Sequence, residues 1–451
     1  MADKSFSQQS DYSVSRVFGL NTKEITQLHL RHLNPLATLI IRFIGTHRKF
    51  IRAGGIYLTD EKGDNYMDFL CGYGALNLGH EPPEVLDALR SVEGCPNILQ
   101  ASLNPFAAKL AEFLAKVTPG KLARCFFCNS GAEAVEAAIK LARCATGKKI
   151  LVSAERGFHG KTLGALSVSG KEKYKKPFEP LVPGVRVIPY DDLDALERIL
   201  RQGDIAAFIV EPIQGEAGVI VPHEGYLKGA EKLCRQYGAL LIIDEIQTGM
   251  GRTGKLFCCE YERIEPDILC LSKSLGGGVM PIGAMMTTDK IWRKAYGTLE
   301  TCLLHTSTFG GNSRACACGI AALNTLIEKD WIRNARIQGE YLLEQLKLLQ
   351  KRFSILEEVR GKGLMIGMRF VRLRGKSPLL EGALTLWIVR HLFRKHRILT
   401  AFTLNNFDVL RIAPPLFVTR KQLNQFLSAL EETLKSAQRL KRFGLIHASK
   451  A

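Results

Sequence analysis

A carboxylate and an amine follow two apolar segments of the sequence, at a spacing that lets one ligand touch both. Asp244 ends the segment ALLIID, and Lys273 comes 29 residues later, at the end of DILCLSK. A carboxylate in a low-dielectric site can hold a protonated ring nitrogen, and a desolvated lysine amine can bond to a carbonyl carbon. Alone, Asp244 is equally typical of a strand-end cap or a metal ligand, and Lys273 alone is a weak indication. The pair indicates chemistry more strongly than either member.

The segment NSGAEAVEAAIKLAR predicts a helix whose first turn is available to an anion. Ser130, Gly131 and Ala132 stand at its start, before a run rich in alanine. Free N–H groups and the helix dipole bind phosphate at such an end. The alternative is that Ser130 is only a cap, with Glu133 three residues later completing a capping box. The two interpretations are compatible.

The segment GFHGKTLGALSVSG places an aromatic and an imidazole side chain, Phe158 and His159, in the loop after the strand-like ILVSAE. An aromatic side chain there can stack on the flat ring of a ligand. The alternative is an aromatic side chain packed in the core, and on these residues alone that interpretation is preferred.

Strand-like and helical segments alternate through the middle of the chain and predict an α/β fold. AAFIVEP, the helical YLKGAEKLCRQYG and ALLIIDE follow one another, which gives parallel strands joined by a helical crossover. DILCLSKSLGGG and IGAMMTT continue the series. Polar residues therefore collect where the strands end, which is where open α/β sheets bind ligands.

Three regions are predicted from these patterns. Residues 1–75 form an N-terminal arm and a short hairpin, IYLTDEKGDNYMDF, that turns at residues 61–64. Residues 76–330 form one large domain that holds the ligand. Residues 331–451 form a smaller α+β domain with a helix at 331–352, the strand-like LMIGMRF and VLRIAPP, and the helical KQLNQFLSALEETL.

The composition indicates a globular protein without a membrane span. Of 451 residues, 46% are hydrophobic and 24% are charged, which is typical of globular proteins, and no run of about 20 apolar residues occurs. The segment MADKSFSQQSDYSVSR lacks the apolar stretch of a secretory signal, so a cytoplasmic location is expected. We interpret residues 36–44, broken by Arg42, as an amphipathic helix that packs on the protein body or on a partner chain, not on a membrane.

Neither the net charge of +18, whose origin the sequence does not explain, nor the twelve cysteines predict a nucleic-acid or metal site. The charge is dispersed, and its densest runs, GKEKYKKPF and RLKRF, lack the interleaved aromatic residues of a nucleic-acid platform. They are interpreted as solvated faces or as attractors of acidic substrates. Cys125 and Cys128 form a CxxC pair, but no second pair completes a metal site. Buried, reduced cysteines and no metal are expected.

Six motifs, in order, carry a resemblance to a known family. They are NSGAEA, FHGKTLGALS, EPIQGEAG, DEIQTGMGRTG, LSKSLGGGVMPIGA and HTSTFGGN. At these spacings the chain resembles the class III (ornithine and omega-amino acid) aminotransferases of the fold type I pyridoxal-phosphate superfamily. The resemblance runs from about residue 57 to about residue 415. It implies a large domain with a mostly parallel seven-stranded sheet, a smaller C-terminal domain and the cofactor pyridoxal 5'-phosphate.

The resemblance also implies a role for each matched residue. Lys273 is the catalytic lysine, which carries the cofactor as a Schiff base and moves the proton. The other implied contacts are Asp244 to the pyridine nitrogen, Gln247 to the phenolic oxygen, Phe158 stacked on the ring with His159 beside it, Gly131 and Ala132 to the phosphate, and Thr308 to the phosphate from the other subunit. A homodimer with the active site at its interface is therefore expected, with a tetramer left open.

Three further matches concern the substrate. Glu216 matches the family's gate glutamate, and Arg411 matches the arginine that binds the α-carboxylate of 2-oxoglutarate or glutamate, which its planar fork suits. Arg411 can alternatively be a surface ion-pair partner. Tyr73 matches a position on the substrate side of the pocket. The strings SGAEAVEAA, YKKPFEPLVPG and ILTAFTLNNFDVLRIAPPL resemble the putrescine branch, whereas Pro82 and Ser313 depart from the usual residues in loops.

The expected function is transfer of a terminal amino group from a diamine or omega-amino compound, with putrescine favoured, to 2-oxoglutarate by a ping-pong cycle. The alternatives are an ornithine, acetylornithine or 4-aminobutyrate aminotransferase, or a decarboxylase, racemase or aminomutase of the same fold. A non-catalytic binding protein would be expected to have lost Lys273 or Asp244, and both are present.

Overall fold

The N-terminal part is a run of short helices followed by a small sheet. The computed structural model describes residues 13–372 and 381–442. The helices are α1 (Val14–Gly19), α2 (Thr22–His32) and α3 (Pro35–Ile44), and the strands are β1 (Phe50–Gly54), β2 (Tyr57–Asp60) and β3 (Asn65–Asp68). Asn34 caps the start of α3, and Gly45 in the left-handed conformation ends it. The antiparallel pairing of β2 with β3 confirms the predicted hairpin.

The central sheet has seven strands, and it confirms the predicted fold. The strands are β4 (Leu122–Cys128), β5 (Ile150–Ala154), β6 (Val185–Ile188), β7 (Ile205–Val210), β8 (Leu240–Asp244), β9 (Ile268–Leu271) and β10 (Gly283–Thr288). Their order is β4-β10-β9-β8-β7-β5-β6. The five strands from β9 to β6 are parallel, whereas β10 is antiparallel to both of its neighbours.

Helices bury both faces of this sheet. The helices of this part of the chain, of which α6, α7, α8, α11 and α12 contact the sheet directly, are α4 (Cys71–Gly74), α5 (Pro83–Ser91), α6 (Pro105–Val117), α7 (Gly131–Thr146), α8 (Leu163–Val168), α9 (Glu172–Lys175), α10 (Leu193–Leu200), α11 (Tyr226–Tyr237), α12 (Asp289–Tyr296) and α13 (Ser313–Glu328). Along β7, Phe208 belongs to one apolar cluster and Ile209 to the other. Successive side chains thus enter two cores, which explains why the strands are continuous apolar runs.

The last part of the chain builds a second small sheet and three helices. They are α14 (Trp331–Arg352), β11 (Leu356–Lys362), β12 (Met365–Phe370), α15 (Ala383–His396), β13 (Ile398–Leu399), β14 (Ala401–Phe402), β15 (Val409–Ile412) and α16 (Arg420–Arg442). The order of its sheet is β11-β12-β15-β14, and β13 joins β3 in parallel. The helix at 331–352 is confirmed, and the domain limits at 75/76 and 330/331 stay predictions.

The cysteines are free thiols, and their burial is only partly as expected. All twelve lie within the described residues and none is paired in a disulfide. Cys95, Cys144 and Cys302 are exposed, so the prediction that the cysteines are buried is wrong for these three. Among the described residues, no group of His, Cys, Asp or Glu side chains is arranged to hold a metal ion. The same part of the chain contains no helix that is long and apolar enough to cross a membrane.

Candidate active site

A cavity of about 300 Å³ opens where β8 and β9 end and α7 begins. Loops after parallel strands meet at this edge of the sheet, so residues far apart in sequence converge on one volume. The lining residues are Gly131, Ala132, Phe158, His159, Gly160, Lys161, Glu211, Glu216, Asp244, Ile246, Gln247, Ser272 and Lys273. Eight of the twelve predicted site residues are among them.

Asp244 and His159 form a buried pair at the base of the cavity. Asp244 is the last residue of β8, and its Oδ2 lies 2.7 Å from His159 Nδ1. Its Oδ1 accepts the Ile246 N–H at 3.1 Å. Burial lowers the pKa of His159, but the hydrogen bond and charge of Asp244 outweigh burial, so the pKa is raised. Within the described residues, His159 Nε2 is buried without a hydrogen-bond partner. The pair presents an oriented carboxylate to the cavity.

Lys273 begins a 3₁₀ turn, Lys273–Gly276, which a single residue, Ser272, separates from the end of β9. Its backbone adopts a φ of 46°, a conformation that L residues other than asparagine and aspartate seldom take. Burial lowers the pKa of its amine, against the opposing charges of Asp244 and Glu216. A lowered pKa raises the fraction of neutral amine, which is the form that attacks a carbonyl carbon.

The start of α7 offers backbone N–H groups to the cavity. Ser130 Oγ accepts the Glu133 N–H at 3.3 Å, whereas the N–H groups of Gly131 and Ala132 make no hydrogen bond within the described part of the chain. A Cβ on Gly131 would lie 2.9 Å from Ile246 Cδ1, so only glycine admits Ile246 this close. The free donors and the helix dipole suit a phosphate.

Of the two hydrogen bonds of the capping box predicted for α7, the one accepted by Ser130 Oγ is present, and the one from the Ser130 N–H to the Glu133 carboxylate is not. Glu133 Oε2 accepts the N–H of Asn129, at 2.6 Å, and not that of the cap residue Ser130. The carboxylate reaches one residue further back, and it also accepts from the Asn129 side chain at 3.0 Å. Ser130 therefore caps the helix, but its side chain is not part of the cavity wall.

Glu211, which the sequence reasoning missed, ties two loops of the site together. It follows β7 directly and is 6% exposed. Its Oε1 accepts the Phe158 N–H at 2.9 Å, and its Oε2 accepts the Gly215 N–H at 3.2 Å. Burial raises the pKa of this carboxyl to about 7. Glu211 thus fixes the loop of Phe158 against the loop that carries Glu216.

Replacing Glu211 by glutamine is expected to weaken cofactor binding about tenfold or more. A glutamine can accept one of the two N–H bonds, but its NH₂ group faces the other N–H, and an unsatisfied buried donor costs roughly 1–3 kcal/mol. Equilibrium binding of pyridoxal phosphate, followed by protein fluorescence, measures the loss. The matched control is Glu155→Gln at an exposed position nearby, which should bind as the parent does.

The same variant has a pH signature. Because the folded-state pKa of Glu211 is raised from 4.5 to about 7, the folded protein keeps a proton that the unfolded chain loses, and the free energy of unfolding falls as pH rises through this range. In Glu211→Gln this fall should become shallower. An unchanged slope together with unchanged cofactor affinity would contradict the assigned position of Glu211.

Gln247 lies at the wall between the cavity and the substrate side. Its Nε2 donates to the Tyr73 carbonyl at 3.1 Å and to Glu216 Oε1 at 3.4 Å, and its Oε1 is buried without a partner among the described residues. The amide group therefore borders both the cavity and Glu216.

Arg411 and Glu216 form a buried ion pair beside the cavity. Arg411 Nη2 lies 2.7 Å from Glu216 Oε2, and Glu216 also accepts the Leu404 N–H at 3.0 Å. Burial raises the pKa of Glu216, but Arg411 outweighs it and the pKa is lowered to about 2. Nε and Nη1 of Arg411 make no hydrogen bond within the described residues. The alternative of a surface ion pair for Arg411 is wrong, because its side chain is 1% exposed.

Two predicted site residues lie at the periphery. The Tyr73 ring stands 5.5 Å from the Arg411 guanidinium carbon, in cation–π contact, and the side chain is half exposed. Thr308 is exposed, outside the cavity wall, and its carbonyl accepts from Gln100 Nε2 at 2.8 Å. The structure therefore does not bring Thr308 to the site of its own subunit.

The residues present fit pyridoxal phosphate. The cavity offers a carboxylate for a ring nitrogen, a lysine for the carbonyl, free helix N–H groups for the phosphate and an aromatic residue at the wall. Its volume lies at the lower end of the roughly 300–1,000 Å³ range of small-molecule sites. The fold and this site define a fold type I pyridoxal-phosphate-dependent transferase.

Comparison with known proteins gives the family. Residues 45–434 match the family Aminotransferase class-III, so the chain belongs to the class III aminotransferases and is an enzyme of the transaminase type. An ornithine aminotransferase from Toxoplasma gondii, described with partial occupancy of PLP at its active site, is 30% identical with a TM-score of 0.84, covering 95% of this chain and 98% of its own.

Two further solved structures are similar over nearly their whole length. An acetylornithine aminotransferase from Elizabethkingia anophelis is 31% identical with a TM-score of 0.76, covering 92% of this chain and 100% of its own. An (S)-enantioselective omega-transaminase from Thermomicrobium roseum is 30% identical with a TM-score of 0.85, covering 93% and 99%.

Proposed function

We propose that the enzyme transfers the terminal amino group of a diamine or omega-amino compound, with putrescine favoured, to 2-oxoglutarate. The observation that carries this proposal is the buried Arg411–Glu216 pair at the edge of the Lys273 cavity. Ornithine and acetylornithine aminotransferases and an omega-transaminase are among the similar structures, which supports a terminal amine as donor and keeps ornithine and acetylornithine as the second candidates.

The chain's own residues have distinct tasks in this reaction. Pyridoxal phosphate, when bound, supplies a ring that stabilises the electron pair left when the carbon bearing the amino group loses its proton. Lys273 would hold the cofactor, and its Nζ would take and return that proton. Asp244, oriented by His159, would keep a proton on the ring nitrogen. The Gly131 and Ala132 N–H groups would hold the phosphate, and Phe158 and Gln247 would fix the ring.

Glu216 and Arg411 let one pocket accept two different substrates in turn. With Glu216 in place, the charge of Arg411 is neutralised, and an amine without an α-carboxylate can enter. When Glu216 moves away, Arg411 presents its guanidinium, including the unpartnered Nε and Nη1, to the carboxylate of the keto acid. Tyr73, against the Arg411 side chain, borders the path of both substrates.

Arg411→Gln is expected to separate the two half-reactions. The KM for 2-oxoglutarate should rise about 100-fold or more, since removal of one partner of a buried charge pair costs roughly 2–5 kcal/mol. The single-turnover rate with putrescine, which has no carboxylate to bind, should stay within about threefold of the parent. Arg369→Gln, on the neighbouring strand β12, is the matched control. An unchanged KM for the keto acid would contradict the assigned role.

We also propose that the enzyme is a homodimer in which Thr308 of the partner subunit reaches the phosphate. Near Thr308 in the sequence, the side chains of Leu299, Leu303, Leu304 and Phe309 are exposed, and exposed apolar residues of this kind are typical of a subunit interface. A tetramer stays open, and the cytoplasmic location stays a prediction.

A further inference from the structure

One oxygen of the Glu216 carboxylate accepts two donors that the same part of the chain supplies. Arg411, on β15, places Nη2 2.7 Å from Glu216 Oε2, and the Leu404 N–H, between β14 and β15, donates to the same oxygen at 3.0 Å. The other oxygen, Oε1, accepts from Gln247 Nε2 at the longer distance of 3.4 Å. The position of Glu216 therefore depends on the residues around Leu404 as well as on Arg411.

Leu404 belongs to residues 403–406, which we call the 403–406 segment. The Thr403 hydroxyl donates to the Asn406 carbonyl at 2.7 Å, which closes the segment on itself. The Asn405 N–H donates to the Glu216 carbonyl at 2.9 Å. Neighbouring residues of the segment thus bond to both the side chain and the backbone of Glu216.

Two residues far away in the sequence hold the 403–406 segment from outside. The Tyr174 hydroxyl donates to the Leu404 carbonyl at 3.1 Å, and Lys171 Nζ donates to the Asn405 carbonyl at 3.2 Å. Both belong to the basic run GKEKYKKPF. Part of this run therefore binds the protein itself, at the segment that contacts Glu216.

Tyr174 reaches Glu216 through a single residue. Its hydroxyl bonds to the carbonyl of Leu404, and the N–H of Leu404 bonds to Glu216. Burial and the charge of Glu216 raise the pKa of Tyr174, so the hydroxyl keeps its proton and donates. Tyr174 is not among the residues that line the cavity, so its influence on the reaction passes through Leu404.

We propose that Tyr174 and Lys171 are positioning residues that set how readily Glu216 leaves Arg411. This inference rests on the proposed function, in which Glu216 neutralises Arg411 for the amine and moves away for the keto acid. The apparent affinity of a ligand is reduced by the fraction of protein that is not in its binding state. By stabilising the paired arrangement, Tyr174 and Lys171 weaken the binding of the keto acid.

The physical reason is the cost of ordering the 403–406 segment. While Tyr174 and Lys171 hold it, the Leu404 N–H is already in place, and its bond to Glu216 forms with little loss of conformational freedom. Without them, the segment gains freedom when Glu216 leaves and must lose it again when the ion pair re-forms. The paired arrangement is then less stable, and the arrangement that admits a carboxylate is more populated.

Binding of glutarate to the holoenzyme, followed by titration calorimetry, tests the proposal. Glutarate is a dicarboxylate with neither a keto nor an amino group, so its affinity depends on Arg411 whichever amine the enzyme uses. Tyr174→Phe removes only the hydroxyl and should lower the dissociation constant about fivefold, the factor that one net intramolecular hydrogen bond is worth. Lys171→Met should lower it by a similar factor. A variant that only damaged the site would bind glutarate more weakly.

The two half-reactions give a second readout. In Tyr174→Phe, the half-saturating concentration of 2-oxoglutarate should fall about fivefold, while the maximal rates with 2-oxoglutarate and with putrescine stay within about twofold of the parent. In Glu216→Gln, which lacks the charge that pairs with Arg411, the further change Tyr174→Phe should alter glutarate affinity less than about twofold, because the two sites are coupled only through Glu216.

Matched control variants lose the same kinds of bond elsewhere. Tyr341→Phe removes a hydroxyl that donates to Asn424 Oδ1 at 2.6 Å, between α14 and α16. Lys148→Met removes an amine that donates to the Gly238 carbonyl at 2.6 Å. These residues do not line the cavity, so both variants should bind glutarate as the parent does.

Two results would overturn the proposal alone. In the first, Arg411→Gln weakens glutarate binding, but Tyr174→Phe and Lys171→Met leave it unchanged or weaken it too. In the second, Tyr174→Phe strengthens binding equally with and without the Glu216 carboxylate. A parent enzyme that binds no glutarate, or an affinity that Arg411→Gln leaves unchanged, would contradict the role of Arg411 in the proposed function, and this inference would fall with it.

Discussion

Replacing Lys273 by alanine is expected to lower kcat by at least about 10,000-fold. The variant loses the amine that moves the proton, a contribution of about 100- to 10,000-fold, and also the covalent hold on the cofactor. Steady-state turnover with putrescine and 2-oxoglutarate measures the first loss. Borohydride treatment followed by mass spectrometry measures the second, because only a lysine-bound cofactor is fixed to the chain by reduction.

The same cavity contains the matched control for this variant. Lys161 also lines the cavity, and its Nζ lies 4.8 Å from the centre of the Tyr174 ring. Lys161→Ala should keep the reducible link to the cofactor. If the cofactor stayed attached after reduction in Lys273→Ala and not in Lys161→Ala, Lys161 would be the lysine that carries the cofactor, and the assignment of Lys273 would be wrong.

The pH dependence of cofactor capture follows from the burial of Lys273. Its pKa is lowered from 10.5 by burial, and only the neutral amine adds to the carbonyl of pyridoxal phosphate. The rate at which the apoprotein captures the cofactor should therefore rise with pH and level off at a midpoint below 10.5. A midpoint at or above the value of a free lysine would contradict the buried position of Lys273.

Asp244→Asn is expected to lower kcat about 1,000-fold. A neutral amide cannot keep a proton on the ring nitrogen, and loss of one preorganised electrostatic group in a site costs about 100- to 1,000-fold. His159 also loses the carboxylate 2.7 Å from its Nδ1. Single-turnover rates with putrescine measure the effect on chemistry without the keto acid half-reaction.

Chemical rescue distinguishes this role from a structural one. A cofactor methylated on its ring nitrogen carries the positive charge permanently, so it should restore much of the lost rate in Asp244→Asn. If the variant lost less than about tenfold, or if the methylated cofactor did not help a folded variant, Asp244 would not hold the ring nitrogen.

Local patterns predicted the fold well because a strand that is buried on both faces of the sheet is a continuous apolar run in the sequence. The segments around Asp244 and Lys273 are continuous apolar runs, and they form β8 and β9 at adjacent positions of the sheet. Because parallel strands align their carboxyl ends, the two side chains were expected at one edge, and both line the cavity.

The features that sequence reasoning missed depend on contacts between distant segments. Glu211 matters to the site because its carboxylate accepts two backbone N–H groups, and one of them belongs to Phe158, 53 residues earlier in the chain. No local sequence pattern predicts that contact. Its place as the first residue of the EPIQGEAG motif, directly after β7, was the available signal. Glu133 bonds one residue before the expected cap because several side-chain conformations satisfy a helix start equally well.

The absorbance of the purified enzyme during a single half-reaction without keto acid tests whether the enzyme transfers a terminal amino group. Putrescine, ornithine, acetylornithine and 4-aminobutyrate are added in separate cuvettes, and 2-oxoglutarate follows. Putrescine is expected to convert the yellow, lysine-bound cofactor to the pyridoxamine form fastest, and 2-oxoglutarate is expected to restore the yellow form. Faster conversion by ornithine or acetylornithine would assign the enzyme to that donor, and a spectrum that no amine changes would contradict transfer of a terminal amino group.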